Sequence, residues 1–226
     1  MVELVLALDV SSREEGLRLL DRLPELRWVK IGPIMMISEG PGFVRELQAR
    51  GLRVFLDMKW HDIPNTVAGA VLMARGLGIR MATIHSLGGS AMLRAAAEAA
   101  GDDLELIGVT VLTSHDEADY GGATGRPSVR LLDESARLAR MAIGAGLGGV
   151  TSSPLEVDRI RATIGPEPLI VVPGIRRPAD APDDQTRTAG PREVAQMGAT
   201  HLVIGRPILH AKDPAATFQD FLSAIE

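Results

Sequence analysis

The sequence predicts an α/β protein, a single-domain (β/α)8 barrel. Three observations carry that prediction: about eight short β-rich apolar runs, helix-like segments between them, and no Gly/Ser linker or shift of composition along 226 residues. Alternation of this kind implies parallel strands with right-handed crossovers, and eight repeats in this length favour a closed barrel over an open doubly wound sheet.

Taken in order, the first run (2–8) ends in Ala7-Leu8-Asp9, and Ser12 ahead of Glu14, Glu15 and the leucines 17, 19, 20 and 23 reads as a capped helix. The second run (28–31) contains Lys30, and the following Ile34, Met35, Met36 and Ile37 read as helix-packing core. A third run (54–59) turns through Trp60-His61-Asp62-Ile63-Pro64-Asn65-Thr66. Pro64 suits the first turn of a helix, so Asp62 falls in the connecting loop or at the helix start. Runs 81–85 and 104–112 bracket 91–100, a stretch of strong helix formers. Runs 148–151, 169–172 and 201–204 complete the set. The longest irregular stretch, about 174–190, follows the seventh run, and a loop of that length in one compact domain (1–226) is a lid or disorder.

Composition narrows the function. With 46% hydrophobic residues the chain can bury a large core, and a formal net charge of −5 supplies no overall positive field for nucleic acid. The start lacks the pattern of a signal peptide, no run is long enough to span a membrane, and the absence of cysteine suits a reducing compartment; a cytoplasmic protein is expected. Only Lys30, Lys59 and Lys212 are lysines among 24 basic residues. Where arginine serves as the general surface cation, a lysine ending an apolar strand points to chemistry, because lysine releases its proton and arginine does not.

Side chains alternate along a strand, so Asp57 and Lys59 share one face while Leu56 and Met58 share the other. With the apolar face against the helices, Asp57 and Lys59 point into the interior at the carboxyl end, where barrel enzymes build their sites. Asp9 and Lys30 end the two preceding strands. A buried ion pair serving the fold, with Asp62 as a helix cap, is the alternative for any one pair. Alternating charges on three adjacent strand ends argue against it, since burying them lowers stability.

The run Asp57-Met58-Lys59-Trp60-His61-Asp62-Ile63-Pro64-Asn65-Thr66 resembles the signature of the orotidine 5'-monophosphate decarboxylase family. The likeness extends from Ala7-Leu8-Asp9 through Lys30-Ile31-Gly32, residues 109–114 and Pro173-Gly174-Ile175-Arg176 to Ile204-Gly205-Arg206, nearly the whole chain. The resemblance implies decarboxylation of orotidine 5'-monophosphate (OMP) to UMP, the last step of de novo pyrimidine nucleotide synthesis, without a cofactor or metal. It implies that Lys30, Asp57, Lys59 and Asp62 surround the pyrimidine and that Lys59 protonates C6. Asp57 would lie beside the substrate carboxylate, raising the ground state or holding Lys59 in place. The working unit would be a homodimer, with Asp62 and Thr66 reaching the partner's site.

The same resemblance assigns Asp9 and Lys30 to the ribose and Thr113 to the pyrimidine edge, although Thr113 also reads as an ordinary strand-end residue and Asp9 as a helix cap. Gly205, Arg206 and Arg176, after the last two strands, would hold the phosphate, with surface arginines as the plain alternative. Gln185 in the long loop would join phosphate to base as the lid closes. Two rival readings stand beside this one. A metal-dependent sugar-phosphate decarboxylase or aldolase of the same barrel group would use acidic ligands, with His61 and His85 as conceivable helpers. A non-catalytic phosphate-binding barrel would bind nucleotide without turnover.

Overall fold

The computed structural model describes residues 2–126, 128–177, 180 and 188–225. Its elements run β1 (Glu3–Ala7), α1 (Arg13–Leu20), β2 (Trp28–Ile31), α2 (Pro33–Ala49), β3 (Arg53–Trp60), α3 (Pro64–Gly76), β4 (Met81–His85) and α4 (Gly89–Ala100). They continue as β5 (Glu105–Val109), α5 (Glu117–Thr124), α6 (Leu131–Gly144), β6 (Gly149–Thr151), α7 (Val157–Ile164), β7 (Leu169–Val172), α8 (Pro191–Gln196), β8 (His201–Ile204), α9 (Arg206–Leu209) and α10 (Pro214–Ile225). The eight strands are all parallel and close on themselves, β8 pairing β1 through Glu3↔His201 to Leu6↔Ile204. The expected (β/α)8 barrel is therefore the fold.

Strand parity divides the core in two. Val5, Ala7, Trp28, Phe55, Met81, Ile107, Val171 and Val203 point inward and fill the barrel, while the alternate residues, such as Leu6, Val29, Leu56 and Ile84, pack outward on the helices. At the amino-terminal floor, Arg53 lies 4.5 Å over the Trp28 ring and pairs with Glu3 at 3.0 Å. His201 meets Trp28 edge-on, and burial lowers its pKa to about 4, so the floor holds a neutral imidazole at pH 7.

Local chemistry explains the element boundaries that aim the site. Ser12 caps α1 by accepting from the Glu15 N–H, which leaves Asp9 free of a capping duty. Pro33 and Pro64 open α2 and α3, where a missing N–H removes no helical bond. The expectation for the start of α2 needs correction: Met35 is buried and Met36 packs on the core, but Ile34 and Ile37 are exposed. Four consecutive helical residues sweep about 300° around the axis, so they cannot all face one core. The fifth run likewise ends as a strand at Val109, short of the expected Leu112.

Candidate active site

β3 departs from regular pairing just before its charged end. Leu56 pairs with Ala82 of β4 and Trp60 with Ile84, so four residues of β3, 57 to 60, lie opposite two of β4. An insertion of two preserves parity: Asp57 and Lys59 still face inward and Met58 and Trp60 still pack outward. Within the bulge Lys59 adopts φ 49°, the one positive φ at a non-glycine among the described residues. Such a backbone is strained for an L-residue and persists only where its surroundings impose it.

The charged strand ends meet as a chain. Asp9 Oδ2 lies 3.5 Å from Lys30 Nζ, which lies 3.2 Å from Asp57 Oδ2; the other Asp57 oxygen takes Lys59 Nζ at 2.8 Å. Signs thus alternate across three neighbouring strands, as the sequence led us to expect. Burial opposes ionisation of Asp57, whose side chain is 13% exposed, but Lys30, Lys59 and a hydrogen bond from Thr83 outweigh it and hold the carboxyl below its usual pKa. Lys59 is 41% exposed and reaches the open space. An ammonium pinned on one side by a carboxylate and open on the other can both stabilise a developing anion and deliver a proton.

These groups line a cleft of about 680 Å³ at the carboxyl ends of the strands, ample for a nucleotide. Its lining also includes Thr113, Arg176, Gly205 and Arg206, and Ile34, Leu112, Pro173 and Leu209 give it apolar surface. Gly205 permits close approach of the chain: a Cβ there would sit 3.3 Å from the Ala7 Cβ. The Arg176 N–H donates to the Ala189 carbonyl at 3.0 Å, tying the two ends of the long loop together. Gln185 lies outside the described residues. Asp62 and Thr66 are exposed and do not line this cleft; Asp62 accepts from the Ile63 N–H at 2.6 Å. His61 and His85 stack at 5.4 Å, and among the described residues no group of three or more His, Asp or Glu is placed to hold a metal. Burial, then neighbouring His61 and Lys59, lower the pKa of His85 to about 4.

Some polar groups of the site gave no signal in the sequence. Thr83 is fully buried beneath Asp57 and Lys59, Thr110 donates to the Thr151 carbonyl at 2.8 Å, and Ser152 lines the cleft. Threonine is a common strand former, so neither Thr83 nor Thr110 stands out from its run.

Residues 2–221 match the family described as "Orotidine 5'-phosphate decarboxylase / HUMPS family". A relative from Anaeromyxobacter sp. (strain K), an orotidine 5'-phosphate decarboxylase, is 46% identical over 195 residues, covering 85% of this chain and 84% of the relative. One from Opitutus terrae, of the same name, is 44% identical over 230 residues, covering 99% and 98%. The crystal structure of orotidine 5'-phosphate decarboxylase from Lactobacillus acidophilus superposes with a TM-score of 0.87 at 32% identity, covering both chains completely.

Proposed function

The chain belongs to the orotidine 5'-phosphate decarboxylase / HUMPS family, and from that premise we infer that it decarboxylates OMP to UMP and carbon dioxide, the closing step of pyrimidine nucleotide synthesis. The observation that carries this reading to individual residues is the Asp9–Lys30–Asp57–Lys59 chain lining one cleft together with the arginines at the ends of β7 and β8.

In this reading Gly205, Arg206 and Arg176 hold the phosphate, Asp9 and Lys30 the ribose, and Thr113 the pyrimidine edge, while the carboxylate at C6 lies beside Asp57. The C6–carboxylate bond breaks, carbon dioxide leaves and the electron pair stays on C6. The Lys59 ammonium stabilises that pair and then donates its proton to it, to be reprotonated from water. The chemistry calls on no metal and no electron sink. Grip on the phosphate, far from the reacting carbon, supplies binding energy that holds the water-poor site together.

Asp62 and Thr66 are exposed beside the cleft rather than in it, which supports their reaching the site of a second copy; a homodimer working in the cytoplasm completes the proposal. A spectrophotometric assay with OMP, run with and without EDTA, tests the function. Turnover indifferent to EDTA is expected. Turnover abolished by the chelator would favour a metal-dependent sugar-phosphate enzyme, and nucleotide binding without turnover a silent barrel.

A further inference from the structure

We propose that Thr83 is a positioning residue for the decarboxylation, setting the reactive ends of Asp57 and Lys59 through one hydroxyl. The inference rests on the function given above and adds a residue that does not touch the cleft. Thr83 is fully buried on β4, two residues beyond the inward-facing Met81 and so directed at the barrel interior.

The two-residue insertion in β3 removes the regular ladder partner that the Lys59 N–H would otherwise find on β4. That N–H donates instead to Thr83 Oγ1 at 2.8 Å, while the same hydroxyl donates its own proton to Asp57 Oδ1 at 2.9 Å. The oxygen that receives it is the one gripped by Lys59 Nζ. One hydroxyl therefore closes a loop: Lys59 backbone to Thr83, Thr83 to the Asp57 carboxylate, and the carboxylate back to the Lys59 ammonium.

Both functions of the hydroxyl are needed. As acceptor it satisfies the N–H that the bulge leaves without a strand partner and holds Lys59 at its positive φ, which no regular strand would impose. As donor it orients the carboxylate, so that one oxygen faces Lys59 and the other faces Lys30 at 3.2 Å. Without it the carboxylate would rotate and the ammonium would follow, and small displacements of a reacting group have large effects on rate. No other side chain type does both with so little bulk except serine. Valine matches the shape and removes the hydrogen bonds.

Kinetics of Thr83→Val against the wild type, with Thr83→Ser alongside, put this to the test. Valine is expected to lower kcat by about 10- to 100-fold, the loss of a hydrogen bond to a charged group. KM and the affinity for UMP should change little, because the cleft wall is untouched, and serine should recover most of the loss. The acid limb of the pH–rate profile should also move to higher pH in the valine chain. The charged neighbours that set that limb are Lys30 from β2, with Asp9 of β1 behind it, and Lys59 on β3 itself; His85, at the end of β4 near Lys59, is the nearby titratable group, held neutral down to about pH 4.

A valine chain with wild-type kcat overturns the proposal, as does a loss of kcat that serine fails to recover. If the valine chain does not fold, Thr83→Ala replaces it under the same criteria, alanine losing kcat where serine keeps it. No turnover by the wild type would overturn both this inference and the function beneath it, whereas an active wild type with an indifferent Thr83 overturns the inference alone.

Discussion

The chain grips two buried carboxylates in nearly the same way. Asp57, in the mouth of the barrel, meets two cations, Lys30 and Lys59, and one hydroxyl, Thr83. Glu134, on α6, also meets two cations, Arg126 at 2.7 Å and Arg137 at 2.8 Å, and one hydroxyl, Tyr120 at 2.9 Å. What differs is the cation. The guanidinium cannot give up its proton and fits a carboxylate through two fixed donors, so the Glu134 cluster is a latch that ties α5 and the turn after it to α6. The ammonium is a compact charge with a transferable proton. In a chain with three lysines among 24 basic residues, two stand at Asp57. The latch is also closed to solvent at its carboxylate, 2% exposed, whereas the mouth opens on a cleft through Lys59. Equal charge arithmetic thus gives a structural latch in one place and, in the proposed function, chemistry in the other.

The contrast breaks most easily at Lys59. Replacing it with alanine is expected to lower kcat roughly 10^4-fold, combining the loss of a proton donor with that of an electrostatic stabiliser. The melting temperature should barely move, since Asp57 keeps Lys30 and Thr83 and the lost side chain was partly exposed. Purified Lys59→Ala with near-normal turnover would make the mouth merely another latch. A second difference is that the Glu134 cluster is complete within one chain, while Asp62 lies exposed outside its own cleft. On the proposed homodimer with shared sites, inactive Lys59→Ala and Asp62→Ala chains, mixed and allowed to exchange subunits, should recover about a quarter of wild-type activity, because half the dimers would hold one intact site of two. Absence of recovery after demonstrated exchange would refute the shared arrangement.

How much of this the sequence disclosed depends on what each residue type advertises. Eight apolar runs and the Asp57/Lys59 alternation were legible because a charge on an apolar strand is conspicuous, and the parity rule survived the bulge because its insertion is even. The bulge itself, and Thr83 within its reach, were not, because a register shift is fixed by how two strands meet, not by either alone. Glu134 escaped notice for the opposite reason. Three residues before Arg137 on a helix, it looks like an ordinary surface pair, and only the packing of Tyr120 and Arg126 over it makes it a buried one. Ile34 and Ile37 misled by hydrophobicity alone: Ile34 forms part of the cleft wall instead of core.

The smallest expected effect is the one that best separates the two carboxylates. Glu134→Gln keeps the shape, leaves kcat unchanged and lowers stability by about 2 kcal/mol, less than is usual for a broken buried pair because both arginines are half exposed. For a chain of this size that is roughly 4–8 °C in Tm. Its pH dependence has a definite sign. Hydrogen bonds from Arg137, then from Arg126 and Tyr120, outweigh burial and hold the Glu134 carboxyl at about 2 against an ordinary 4.5. As pH falls, the unfolded chain therefore takes up this proton first, and the stabilisation is whole above about 4.5 and disappears between 4.5 and 2. Glutamine has no proton to take up, so the gap in stability between wild type and variant should be flat from neutral pH to about 5 and close below it. Denaturant melts at several pH values measure that gap directly; one that persists unchanged down to about pH 2.5 would mean that Glu134 acts through shape rather than charge, and the parallel with Asp57 would fail.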